Sequence, residues 1–368
     1  MVNVKDMYYA CTNDEGIKQK AECGGAVTSL LRLALETGMA DAVLAITKGA
    51  DLYDGKPVLI TDPNEVVKTA GSLHTAPINL GRFLSKYLDG ARNMKIALPV
   101  KPCDARTIVA LANRGKINLD NVIMIGLNCG GTIRPMEGRE MIEKYYAVNP
   151  DNVVKEEIAR GKFIIITDDH KHLEVSIDEL EEHGSGRRAN CQRCENKIPR
   201  MADLACGNWG VIGPLAGKAT FVEVCSEKGA KLLDAAIKAG SISVSAPEAK
   251  GLEMREKINQ SMLKLAAKNQ KEQFTKADSD MEYWVKQFSK CIKCMGCTVH
   301  CPLAYDSKYK KPSFDQKGSI PPALTYHLSK VAAAGSDCIN CGACEDVCPM
   351  DIPISKLYHN VAKRLEVQ

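Results

Sequence analysis

Aromatic side chains make up only 5% of this chain, and tryptophan occurs twice. So few flat rings leave no platform on which nucleobases would stack. The formal net charge is only +4, and no basic stretch is free of acids, so no nucleic-acid partner is expected. No run of about 18 apolar residues occurs, so no membrane span is predicted. Residues 1–10 carry Lys5 and Asp6 and no apolar segment. A secretion signal is therefore not expected, and the cytoplasm is the expected compartment. Neither a G-x-G-x-x-G fingerprint nor a G-x-x-x-x-G-K-[ST] phosphate loop is present. No Ser/His/Asp constellation stands out either, so no hydrolytic triad is expected.

What the chain has in excess is cysteine, sixteen residues of it. In a chain expected to stay in a reducing compartment, that points to metal rather than disulfides. Eight of them fall in two copies of C-x2-C-x2-C-x3-C-P, at Cys291, Cys294, Cys297, Cys301 and at Cys338, Cys341, Cys344, Cys348. That run holds cubane iron–sulfur clusters, and in the two-cluster form the fourth cysteine of each run serves the other cluster. One [4Fe–4S] set is therefore expected from Cys291, Cys294, Cys297 and Cys348. The other is expected from Cys338, Cys341, Cys344 and Cys301. Zinc also takes four thiolates, but the doubled run with its terminal prolines favours clusters. The long stretch between the runs is expected to hold a helix at 321–334, giving an extended, mainly helical ferredoxin-like domain.

Upstream, apolar runs at 42–47, 57–61, 95–100, 121–127, 162–167, 172–176 and 219–225 read as strands. Segments 77–87, 102–112 and 227–239 read as helices. Strands alternating with helices predict an α/β sheet domain with its site at the strand ends. The predicted division is a core over 1–246, a charge-mixed helical connector over 247–290 and the cluster domain over 291–368. Glycines at 24 and 25 precede a helical pattern, where backbone N–H groups favour an anion such as a phosphate; an ordinary loop-to-helix junction is the commoner explanation. Cys103 and Cys129 follow two of the buried strands, and Cys191-x2-Cys194 lies further on. These four are open to two readings: a third cluster, or two buried structural thiols beside a redox or zinc C-x2-C.

The central motifs break that tie. Cys23-Gly24-Gly25-Ala26-Val27-Thr28, Pro102-Cys103-Asp104-Ala105, Gly126-Leu127-Asn128-Cys129, Cys191-Gln192-Arg193-Cys194-Glu195 and Ala202-Asp203-Leu204-Ala205-Cys206-Gly207 occur in this order. The region from about residue 8 to 240 resembles the beta-subunit family of coenzyme F420-reducing hydrogenases and formate dehydrogenases. The resemblance implies an α/β flavin-binding core with an appended two-cluster ferredoxin-like domain. It also implies FAD and three [4Fe–4S] clusters as cofactors, with coenzyme F420 as substrate. Electrons arriving singly would be paired on the flavin and leave as a hydride to F420, reversibly. By the same resemblance Cys103, Cys129, Cys191 and Cys194 match ligands of the core cluster. Gly24, Gly25, Ala26 and Thr28 match the glycine turn beside the flavin, Gly71, Ser72 and Thr75 a loop near FAD, and Asp203 and Gly207 a segment bordering it. The family loop often reads Gly-Ser-Lys-Tyr; here Leu73 and His74 follow Ser72, and His74 is expected as a substitute contact or, more commonly, a surface histidine.

No catalytic side chain is expected, because the hydride chemistry belongs to the flavin. Lys101, Arg134, Arg187, Arg188 and Arg193 are candidates for the acidic tail of F420, or solvated surface charges. The implied partner is a molybdopterin-containing formate dehydrogenase alpha subunit. The alternatives are a pure electron-transfer adapter, feeding an acceptor such as a heterodisulfide reductase complex, or an F420H2-oxidising subunit of another complex.

Overall fold

The computed structural model of the chain describes residues 1–303, 322–334 and 337–366. Its strands are β1 (Met7–Thr12), β2 (Ala42–Lys48), β3 (Gly55–Ile60), β4 (Ile96–Val100), β5 (Val122–Leu127) and β6 (Val153–Ala159). They continue as β7 (Lys162–Thr167), β8 (His172–Ser176), β9 (Leu204–Gly207), β10 (Thr220–Val224) and β11 (Ile242–Ser245). Among the described residues they form an eight-stranded sheet in the order β11-β1-β10-β9-β5-β4-β2-β3, and a three-stranded sheet β6-β7-β8.

Successive side chains of a strand face opposite ways, and here both faces are apolar. Ile96, Leu98 and Val100 join one core with Val122 and Met124, while Ala97, Ile123 and Ile125 join another on the opposite face. Helices Ala26–Glu36 and Glu227–Lys238 cover the second face, and helices Leu80–Tyr87 and Pro102–Asn113 the first. The result is a three-layer α/β region, as the alternating pattern predicted. Strands β2, β4, β5 and β9 run parallel in register. Strand β10 is antiparallel to both β9 and β1, so β1 also runs with the parallel set. The C-terminal ends of these strands therefore share one edge of the sheet. Residues 13–25, 101–103, 128–133 and 207–208 emerge there.

The predicted strands at 162–167 and 172–176 coincide with β7 and β8, and the others lie within two residues at each end. Strands β6, β9 and β11 and helix Pro135–Tyr146 escaped the sequence reading. β6 carries Lys155, Glu156 and Glu157, which mask an apolar alternation, and β9 and β11 are four residues each. The segment after β11 forms helix Ala249–Gln273, then Met281–Ser289. The first is no loose tether. Arg255 reaches into the sheet edge, donating to Trp209 O (3.3 Å) and Ala205 O (3.2 Å), and Gln270 donates to Arg193 O at 2.9 Å. Helix Ala323–Ala334 lies where the stretch between the cysteine runs predicted one; its expected first residue, Pro321, lies outside the described residues, as do residues 367–368 of the terminal segment.

Candidate functional site: cysteines at the strand ends and in the C-terminal region

Cys103 sits in the first turn of helix Pro102–Asn113, directly after β4. Pro102 suits that first turn because its missing N–H has no intrahelical partner there anyway. Asp104 fixes the junction. Its fully buried carboxylate accepts from Lys101 N (2.9 Å), Leu80 N (3.0 Å) and Lys101 Nζ (2.8 Å). Cys129 follows β5, its N–H donating to Lys197 O at 2.9 Å. Cys191 lies on the short turn Ala189–Gln192, with Cys194 just beyond. These thiols lie within electrostatic reach of one another: the Cys103 thiol feels Cys129, and Cys129 feels Cys191 and Cys194. Burial pushes the Cys129 thiol up to about 11 and the Cys103 thiol well above its ordinary value. Cys191 is displaced the other way. Burial raises it, but the Arg188 guanidinium, Thr132 and Lys197 outweigh that.

The cations expected to meet an acidic tail are spent inside the molecule. Lys101 Nζ donates to Ile78 O at 2.7 Å and pairs with Asp104. Arg134 pairs with Glu137 and Asp346, Arg187 with Glu181, and Arg188 with Asp346. Arg193, 1% exposed, donates to Asn340 and Ser355. All five have partners within the chain, and Arg134, with its side chain 33% exposed, is the most open of them. Lys101, Lys197 and Arg188 instead surround the core thiols with positive charge, which favours thiolate ligands.

In the C-terminal region the two runs interlock. Cys291 feels Cys297, Cys294 and Cys348, and these four line one cavity with Ile292, Met295 and Tyr326. Cys338, Cys341 and Cys344 each feel Cys301. The fourth cysteine of each run thus sits with the other run's first three. Among the described residues no three Cys, His or acidic side chains converge tightly enough to hold a single metal ion.

The residues matched to the flavin fall into two groups. Gly24 packs rather than opens: a Cβ there would lie 2.4 Å from Ala10 O and from Thr220 N. Gly25, at φ +70°, turns the chain into helix Ala26–Glu36, whose first N–H groups no side chain caps. Ala26 and Thr28 are buried, so that turn offers backbone rather than side chains. Gly207 lets Asn128 close in; a Cβ would overlap Asn128 Oδ1, a buried acceptor without a hydrogen-bond partner. Asp203 does not join them. It lies at the opposite end of β9, accepting from Met124 N at 2.8 Å and from Ser226 Oγ. It stitches β5 to the start of helix Glu227–Lys238.

The Gly71–Thr75 loop hangs on two carboxylates that the sequence did not single out. Glu156, fully buried on β6, accepts from Thr75 Oγ1 and from His74 N, both at 2.9 Å. His74 Nε2 lies 3.5 Å from Glu22 Oε1, each side chain being 17% exposed. The expected surface histidine is therefore an ion-paired, mostly enclosed one. Burial lowers and Glu22 more than restores its basicity, so His74 ends above its ordinary value. Burial raises Glu22, but His74, Ser72 and Ile158 N bring it down to about 2. Glu156 is raised, chiefly by burial. No local pattern announced this network, because β6 places three charges in a row at 155–157.

Residues 7–85 and 93–250 match the N-terminal and C-terminal models of the coenzyme F420 hydrogenase/dehydrogenase beta subunit, and residues 287–352 match the 4Fe–4S dicluster domain. The F420-dependent formate dehydrogenase subunit beta of Methanocaldococcus jannaschii is 51% identical over 96% of this chain and 92% of its own length. The chain belongs to this beta-subunit family. A second relative in the family, the F420-dependent formate dehydrogenase 1 subunit beta of Methanococcus maripaludis, is 48% identical over 98% of the chain and 92% of that protein. The coenzyme F420 hydrogenase subunit beta of Methanococcus voltae is 25% identical and covers 73% of the chain and 94% of itself. A chain of the F420-reducing [NiFe] hydrogenase complex of Methanosarcina barkeri superposes with a TM-score of 0.62 at 20% identity, covering 74% of this chain and 93% of that one. That match shows the fold of the α/β region, to which this family member adds the C-terminal dicluster domain.

Proposed function

We propose that this chain is the beta subunit of an F420-dependent formate dehydrogenase, an oxidoreductase subunit that works beside a molybdopterin-containing alpha subunit. When bound, FAD and three [4Fe–4S] clusters supply the exchange between single electrons and the hydride given to or taken from coenzyme F420. The observation that carries the reading is the near-full-length similarity to two formate dehydrogenase beta subunits; the twelve cysteines expected to form three sets support it. Four thiolates per set is the donor chemistry of a cubane.

The chain's own residues then have definite tasks. Cys103, Cys129, Cys191 and Cys194 would hold the core cluster, and Lys101, Lys197 and Arg188 offset its negative charge. The uncapped first turn of helix Ala26–Glu36 is a fit for the flavin's phosphates, since N–H groups there favour anions. The unpartnered Asn128 Oδ1 fits a hydrogen-bond donor on the same ligand. The Glu22–His74–Glu156 network ties the Gly71–Thr75 loop to residue 22 and to β6, so that Gly71 and Ser72 are held in place. None of these groups needs to move a proton.

Metal and flavin analysis of anaerobically purified protein tests this. About twelve Fe and one FAD per chain are expected, at four Fe for each of three cubanes. Protein free of flavin, and inactive with F420 and a viologen dye, would defeat the proposal.

A further inference from the structure

The two C-terminal thiol sets are not equivalent in their surroundings. The second run is clasped by the segment that carries Cys191 and Cys194. Asn190 Nδ2 donates to Asn340 O at 3.1 Å, and Asn340 Nδ2 donates back to Asn190 O at 2.8 Å. Arg193 Nε donates to Asn340 Oδ1 at 3.1 Å. Arg188 is only 4% exposed and makes four kinds of contact. It pairs with Asp346 through Nε, and its Nη1 donates to Thr132 Oγ1 at 3.2 Å. Nη1 also lies 3.9 Å from Cys191 Sγ, and Nη2 donates to Cys341 O at 2.9 Å. One guanidinium thus touches a core thiol and the backbone of a second-run thiol. The fit is close: at Gly342, φ +77°, a Cβ would lie 2.4 Å from the Asn190 side chain and 2.5 Å from Arg188 Nη2.

Other elements hold the same set. Arg106 Nη1 donates to Ile339 O at 3.2 Å and Arg114 Nη1 to Leu303 O at 2.9 Å. Ile339 and Leu303 are buried in the core that contains Leu98, Val100 and Ala105. The Cys103 thiol feels Cys341. The first run has a different setting. Cys294 is exposed, and its neighbours Ile292 and Met295 are 61% and 42% exposed.

We propose that Cys301, Cys338, Cys341 and Cys344 form the inner C-terminal set, held against the core's four cysteines by Arg188 and the Asn190–Asn340 pair as positioning residues, while Cys291, Cys294, Cys297 and Cys348 form the outer set, which reaches solvent through Cys294. The inference rests on the reading that clusters fill the three thiol sets. Its consequence is an order: outer set, inner set, core. Buried, doubly hydrogen-bonded amide pairs and a guanidinium fork fix distance and orientation better than apolar packing alone. Partners of this kind around a metal site affect its affinity by about 10- to 100-fold when removed.

Two measurements on the anaerobically purified full-length holoprotein test it. A membrane-impermeant ferrous chelator is added to reduced protein and iron release is followed. An early phase of about a third of the iron is expected, one cubane of three. Cys294→Ser should abolish that phase and Cys341→Ser should keep it; the reverse pattern overturns the order. Then electron paramagnetic resonance of the reduced protein is compared for Arg188→Gln, Asn190→Ala and Arg188→Lys. With iron content retained, the magnetic broadening between core and inner sets should weaken in all three, lysine included, because lysine lacks the fork. Unchanged spectra at unchanged iron refute the positioning role. If the unaltered chain holds about eight Fe, the core cluster of the proposed function fails, and the chelator phases still decide which C-terminal set is outer.

Discussion

At the residue scale, the Glu22–His74 pair is where electrostatics and loop position meet. A histidine whose basicity is raised on folding contributes stability that is fully present below its ordinary value of 6.5 and is lost as pH rises through the raised one. Glu22 works in the opposite direction: its contribution is present above the ordinary value of 4.5 and is lost as pH falls toward about 2. The pair is therefore fully effective between those two ordinary values. Thermal unfolding of the holoprotein should show stability declining above about pH 6.5, where free imidazole titrates. Glu22→Gln should flatten that decline and cost about 2 kcal/mol at pH 6, because it leaves a mostly enclosed imidazolium without its counter-charge. An unaltered pH profile in Glu22→Gln would show that the ion pair is not the cause. His74 was visible in the sequence as a departure from the family loop. Its partners were not, because they lie 52 and 82 positions away along the chain.

At the element scale, the glycine turn before helix Ala26–Glu36 serves two ends. Gly24 allows the turn to lie against β1 and β10, and Gly25 supplies the left-handed φ that starts the helix. Gly24→Ala would drive a methyl group into backbone on both strands, which side-chain adjustment cannot relieve. A loss of about 1–3 kcal/mol is expected, as for other overpacked sites, read as a lower unfolding midpoint. Gly38→Ala is the comparison. Gly38, unlike Gly24, is left-handed, at φ +67°, but a Cβ there meets nothing within 4 Å, so backbone strain of about 1–2 kcal/mol is its whole cost. An unchanged midpoint in Gly24→Ala would remove the packing explanation. The sequence signal for a glycine turn was sound, but the requirement at Gly24 comes from β1 just before it and from β10, nearly 200 residues on, closing on it together.

At the scale of the whole molecule, the α/β region and the dicluster region share a hydrophobic core. Leu303 and Ile339 from the C-terminal part are buried with Leu98, Val100 and Leu111 of the sheet and its covering helix. Arg114 pairs with Asp337 over the same boundary, and Lys363 reaches back to Glu195 and Gln270. Ile339→Ala should cost about 2–5 kcal/mol through the cavity it leaves. Because the core is shared, cluster absorbance and the far-ultraviolet signal should still be lost in one transition. Two separated transitions in the unaltered protein would show that the regions unfold independently. Among the described residues no helix is long and apolar enough to cross a membrane.

By itself the sequence determined the iron–sulfur character of the two C-terminal cysteine runs and the layering of the fold. Cysteine runs with fixed spacing announce their use locally, and apolar alternation along Ile96–Val100 and Val122–Leu127 announces a sheet buried on both faces. Their pairing across the runs could be anticipated because it follows from spacing as well. What only the tertiary structure decided was which charges are spoken for. Five cations that a sequence reading leaves for an acidic ligand turn out to be paired or hydrogen-bonded inside the molecule, and Asp203 ties strands together on the edge away from the thiols. The reason is physical: a spacing motif is satisfied within a few residues, whereas burial of a charge depends on counter-charges brought in by distant strands and helices. Arg188 shows it most plainly, since Asp346 and the Cys341 carbonyl reach it from more than 150 positions away.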